Sequence, residues 1–141
     1  MNKKQLRTEA LTKHYNNIAN LYLLLTGEEI TQDQAKKISS KLIKFERLAT
    51  IETTAQNNGY YIEPTPLDWK TGKAEKMRVN EEESNKKIDL IIEQVQKLFK
   101  NKLLGLWVNY DSRGYALKVK GENLPLSQDW GNNYILSPEI N

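Results

Sequence analysis

Ile91-Ile92-Glu93-Gln94-Val95-Gln96-Lys97-Leu98-Phe99-Lys100-Asn101-Lys102-Leu103-Leu104-Gly105-Leu106-Trp107-Val108-Asn109 is the stretch in which the chain changes its period. Up to Phe99 the apolar residues Ile88, Ile91, Ile92, Val95, Leu98 and Phe99 recur at the spacing of one helical face. Asn80 ahead of Glu81, Glu82 and Glu83 offers a capping side chain and negative charge to the positive end of that helix. Lys97, Lys100 and Lys102 sit at its negative end. From Leu103 the period becomes two. Leu103 to Asn109 and Tyr115 to Lys120 read as short strands, with Tyr110-Asp111-Ser112-Arg113-Gly114 as the hairpin loop between them. Gly121 and Pro125 end the second strand, and Tyr134 to Leu136, ahead of Pro138, is a candidate third.

Upstream the pattern is helical throughout. Leu6, Ala10, His14, Ile18, Leu21, Tyr22 and Leu25 form one stripe from Lys4 to Leu25, stopped at Thr26-Gly27. Thr31-Gln32-Asp33-Gln34 matches a capping box, and Ala35, Ile38, Leu42, Phe45, Leu48, Ala49 and Ala55 carry a second stripe to about Ala55. Asn57-Asn58-Gly59 supplies its left-handed stop. A short connection between two long helices predicts an antiparallel hairpin. Residues 59–79 hold no sustained period, apart from a candidate strand at Tyr60 to Glu63. The expected fold is α+β: an N-terminal antiparallel helical hairpin plus a third helix, packed on a small antiparallel C-terminal sheet. Residues 1–141 are expected to form a single domain, helical over 1–102 and β over 103–141.

A length of 141 residues is enough to bury a core without disulfides or metal. The absence of cysteine excludes thiolate zinc sites, disulfides and cysteine nucleophiles. The run Leu21 to Leu25 is too short for a signal sequence or a membrane span, so a cytoplasmic location away from membrane is expected. Basic residues outnumber acidic ones nine to six in 1–58, trail four to six in 59–83, and lead eight to six in 84–141. No segment announces nucleic acid by charge alone. Lys3, Lys4, Lys36, Lys37, Lys41 and Lys44 are interrupted in sequence by Asp33, Glu46 and Glu52, which reads as solvated surface rather than a phosphate track.

The densest group of special residues is Val108-Asn109-Tyr110-Asp111-Ser112-Arg113-Gly114-Tyr115-Ala116-Leu117-Lys118, followed by Asp129-Trp130-Gly131-Asn132-Asn133-Tyr134-Ile135-Leu136-Ser137-Pro138-Glu139. About forty residues of this C-terminal part resemble a family of small proteins of prophages, plasmids and other mobile elements. That family has an Asp-x-Arg-Gly-Tyr-Ala-Leu-Lys loop-strand and a later Asp-Trp-Gly leading to Ile-Leu-x-Pro. Tyr110 and Ser112 stand where the family commonly has Gly and Pro, and Asn132-Asn133 replace a second Gly. The resemblance implies a mobile-element setting and no particular biochemistry.

Read from the residues, the Arg113 guanidinium can hold a phosphate, a carboxylate or an acidic partner side chain, or else form an ion pair with Asp111 or Asp129 that fixes the loop. Lys118 falls on the solvated strand face and is either a phosphate contact or plain surface. Trp130, with Trp107 on the neighbouring strand, can stack a planar group or pack into the core. His14, the single histidine, is either a core residue or part of a pocket with Asp129, Asp111 or a tyrosine. The chain contains no glycine-rich phosphate loop, nucleophile elbow or His-Glu-x-x-His motif.

These features favour a non-enzymatic binding module that uses Arg113, Asp111, Tyr110, Lys118, Asp129 and Trp130, with His14 as a candidate pocket residue and no catalytic set, metal or cofactor. The partner expected is a host protein or nucleoprotein complex, such as a CRISPR-like or nucleotide-signalling defence complex, or a phosphate-containing ligand. The alternatives are a small enzyme acting on nucleotides or nucleic acid and a regulatory nucleic-acid-binding protein. The two C-terminal loops are expected at the same edge of the sheet, with Trp130 beside Arg113.

Overall fold

The computed structural model describes residues 2–61, 77–103, 105–110, 115–120, 129–130 and 133–136. Helix α1 (Lys3–Thr26) opens on a capping box that the sequence pattern did not signal: Gln5 N–H donates to Asn2 Oδ1 at 2.8 Å, and Asn2 N–H donates to Gln5 Oε1 at 3.0 Å. Helix α2 (Gln32–Asn58) opens on the expected one, with Gln34 N–H donating to Thr31 Oγ1 at 3.2 Å and Thr31 N–H to Gln34 Oε1 at 2.8 Å. Both helices end on glycines in the left-handed region, Gly27 at φ 75° and Gly59 at φ 86°. Neither site is sterically crowded, so the backbone angle and not space demands glycine there. Helix α3 (Glu81–Leu98) starts from Asn80, whose Oδ1 accepts from Glu83 N–H at 3.1 Å.

The three helices and the sheet share one hydrophobic cluster. Ile18 and Leu21 of α1, Leu42 and Ala49 of α2, Val95 of α3 and the following Phe99 are buried in it with Leu117 and Val119. The α1 and α2 helices pack on each other, and the short link between them makes the pair antiparallel. Tyr22 and Phe99 meet at 6.2 Å between ring centroids, which ties α1 to the end of α3. Lys100 there reaches Glu28 of the α1–α2 link at 2.6 Å.

Strands β1 (Leu106–Val108), β2 (Leu117–Lys120), β3 (Asp129–Trp130) and β4 (Asn133–Ile135) form an antiparallel sheet of order β1-β2-β4-β3. Register pairs Leu106 with Val119 and Val108 with Leu117, so these four share the face that meets the core. Trp107 pairs with Lys118 on the opposite face. The α+β architecture is therefore present, with β4 one residue ahead of the third strand expected and β3 added at the far edge.

Two expected positions shift. Leu6 and Leu48 are exposed although they fall on the apolar stripes. At Tyr60 the backbone makes an isolated bridge to Arg78, and Tyr61 N–H donates to Met77 C=O at 2.8 Å. The remainder of the Tyr60 to Glu63 strand lies outside the described residues.

Candidate functional site

The C-terminal group is partly placed by the sheet. Tyr110 is exposed just past β1, its N–H donating to Asn109 Oδ1 at 2.9 Å, and Asn109 N–H donates to Ala116 C=O at 3.0 Å across the hairpin. Lys118 is half-buried on the face away from the core. Asp111 and Arg113 lie outside the described residues.

Asp129 and Trp130 form β3, where Asp129 pairs with Tyr134 and Trp130 with Asn133, while Asn133 also pairs with Lys120. Both β2 and β3 are antiparallel to β4, so β3 runs parallel to β2 and its turn comes at the Lys120 end. The β1–β2 hairpin comes at the Leu117 end. From Leu117 to Trp130 the backbone spans three residue levels and two strand spacings, roughly 10 Å in each direction. The end of β1 and the start of β2 thus lie at one end of the sheet and Trp130 at the other, while residues 111–114 and 131–132, on which the expectation of a shared edge rests, lie outside the described residues.

His14 is 2% exposed and its Nε2 has no hydrogen-bond partner among the described residues. Burial lowers its pKa from the ordinary 6.5 to about 4, which keeps the imidazole neutral at physiological pH. The arrangement is that of a core histidine.

Two carboxylates that the sequence places on α2 turn inward. Glu46, buried, accepts from Ala116 N–H and, at 2.8 Å, from Leu117 N–H, so it clamps the entry of β2 to the middle of α2. Glu52, also buried, accepts from Tyr61 Oη at 2.6 Å and from Ser84 Oγ at 2.9 Å. Ser84 Oγ in turn accepts from Gln56 Nε2 at 2.8 Å, and the same amide donates to Asn85 Oδ1 at 2.9 Å. Burial, followed by the hydrogen bond to Glu52, pushes the Tyr61 phenol above its ordinary range. Sequence reasoning set both acids on the solvated face, whereas they are buried. The available signal was their position: Glu46 continues the stripe Ala35, Ser39, Leu42, Ala49, and a carboxylate on a buried stripe needs buried donors.

Turning those acids inward changes the outer face of α2. The buried stripe runs 35, 39, 42, 46, 49, 53. The stripe opposite it runs Lys37, Lys41, Lys44, Leu48, Ile51, all exposed, with Lys36, Ser40, Ile43 and Arg47 exposed beside it. Five cations lie between positions 36 and 47, a rise of about 17 Å. No exposed carboxylate lies between them, and the exposed Asp33 of the first turn stands one turn ahead of Lys37. The ion pairs among the described residues involve Lys86, Lys97 and Lys100 and none of these five. Lys37–Lys41, Lys41–Lys44 and Lys44–Arg47 are like-charge neighbours three or four residues apart, each disfavouring the free helix by about 0.2–0.5 kcal/mol. Ile43, Leu48 and Ile51 are 43%, 40% and 41% exposed. Of the three acids set against these lysines in the sequence, Glu46 and Glu52 turn inward, while Asp33 stays exposed one turn ahead of Lys37.

The chain matches no family model, no curated protein and no solved structure. Among the described residues no group of three His, Asp or Glu side chains is placed to hold a metal ion, and no helix is long and apolar enough to cross a membrane.

Proposed function

We propose that this protein is a non-enzymatic binding module of phage or mobile-element origin, acting in the cytoplasm, and that it binds through the outer face of α2. The observation that carries the proposal is the run Lys36, Lys37, Lys41, Lys44 and Arg47, exposed and unpaired among the described residues, with exposed apolar side chains at one end. An unneutralised cationic surface with apolar side chains is suited to an acidic macromolecular partner. The mobile-element setting rests on the C-terminal resemblance. In that setting the proposed partner is a host defence complex, and the consequence of binding is inhibition. A nucleotide-acting enzyme built on His14, Arg113 and Asp129 is the weaker reading, because His14 is closed off from solvent and neutral.

The test expresses the protein in bacteria that carry one defined defence system at a time and scores phage plating. Lys37→Glu/Lys41→Glu/Lys44→Glu is compared with Lys3→Glu/Lys4→Glu/Arg7→Glu on α1. The expected result is restored plating against at least one system, lost in the α2 variant and kept in the α1 variant. Restoration that survives the α2 variant removes this face from the function. No restoration against any system refutes the inhibitor reading.

A further inference from the structure

The outer stripe of α2 has a direction. Its first three positions, Lys37, Lys41 and Lys44, are cationic and its last two, Leu48 and Ile51, are apolar, with Arg47 and Ile43 alongside. The steps between them are four, three, four and three, the spacing at which one helix meets another in a coiled-coil seam. The surface is convex, since it is the solvent side of a helix whose inner stripe is packed in the core. A partner element must therefore lie along it.

We infer that this face takes an amphipathic helix of a partner protein, one that sets apolar side chains on Leu48 and Ile51 and carboxylates on Lys37, Lys41 and Lys44. This rests on the reading of α2 as the binding surface. Charge complementarity sets the acidic half of the partner, and the exposed leucine and isoleucines set its apolar half.

Other anionic partners fit less well. A nucleic-acid backbone answers the lysines but leaves Leu48 and Ile51 without a role. The face also carries no exposed aromatic ring to stack a base. An anionic bilayer requires an unbroken apolar face bordered by cations. Here Lys44 lies on the same stripe as Leu48 and Ile51, so sinking the apolar residues would carry an ammonium with them. A helix laid alongside can place a carboxylate opposite Lys44 and a leucine one turn further on.

The experiment uses the full chain and fluorescence anisotropy with four probes. They are a labelled helical peptide with an acidic half and a leucine-rich half, a scrambled peptide of the same composition, a DNA duplex, and phosphatidylserine-containing vesicles. Two variants, Lys41→Glu/Lys44→Glu and Leu48→Ser/Ile51→Ser, are first checked for an unchanged urea midpoint, as expected for exposed positions.

The expected result is saturable binding of the ordered peptide, weaker by about tenfold or more in each variant, and much weaker binding of the scrambled peptide. Equal binding of the two peptides reduces the surface to bulk charge and overturns the inference. Tighter binding of duplex or vesicles, sensitive to the lysines and indifferent to Leu48 and Ile51, overturns it while leaving α2 as the binding face. Self-association of the wild type that the α2 substitutions abolish assigns the face to a second copy and overturns it too. Binding of no probe, or peptide binding that neither variant alters, defeats both this inference and the α2 reading.

Discussion

Replacing Glu46 by glutamine tests how the helical layer holds the sheet. The side chain keeps its volume, so packing against Leu42 and Ala49 is preserved while the chemistry at its tip changes. The carboxylate accepts two backbone N–H groups, from Ala116 and Leu117, and both bonds are buried. An amide carbonyl can keep one of them, but the NH2 group then faces the second N–H, donor against donor. One charge-assisted bond is lost and one buried donor is orphaned, a change of about 2–3 kcal/mol. For a chain of this length the unfolding entropy converts that loss into a fall in Tm of roughly 7–10 °C. Thermal and urea unfolding by circular dichroism read the global effect, and hydrogen exchange reads the local one. The Ala116 and Leu117 amides should exchange about tenfold faster or more in Glu46→Gln, with the α2 interior changing only as far as global stability falls. A Tm within about 2 °C of wild type, with unaltered protection at those two amides, would refute the clamp.

The remaining predictions concern the helical hairpin. His14 is held neutral with a pKa of about 4 against 6.5 when unfolded, so between those values the unfolded chain binds a proton that the folded chain does not. Stability is full above pH 6.5 and falls as pH drops toward 4, by about 2 kcal/mol on reaching pH 5. His14→Leu should be at least as stable as wild type at neutral pH, because Nε2 is unpartnered, and should lose less stability on acidification; parallel urea titrations of the two proteins would sink this. Thr31→Ala should cost about 1 kcal/mol through loss of the bond to Gln34 N–H, and an unchanged denaturation midpoint would remove that cap from the account.

What could be read from the sequence was local. The Thr31–Gln34 box, the glycine stops at 27 and 59 and the change of period after Phe99 each depend on residues a few positions apart, and each is present in the structure. The arrangement of the sheet was not local: β3 is two residues long, too short to show a period, and its pairing with β4 places Trp130 level with Lys120, at the far end of the sheet from Val108 and Leu117. Glu46 and Glu52 read as surface acids for a related reason. The donors to Glu46 lie 70 and 71 positions away and those to Glu52 lie 9 and 32 away, beyond the reach of a local pattern. The same two residues then govern the reading of function. Counted along the sequence, they neutralise the lysines of α2; placed in the fold, they satisfy backbone and hydroxyl donors in the interior, and only Asp33 is left on the outer face, ahead of Lys37. A modest net charge of +3 thus conceals a face of five cations. Because the neutralising acids are committed to holding α2 against β2 and α3, a substitution that returned a carboxylate to the outer stripe would weaken binding without touching the interior, whereas substituting Glu46 or Glu52 would weaken the fold first.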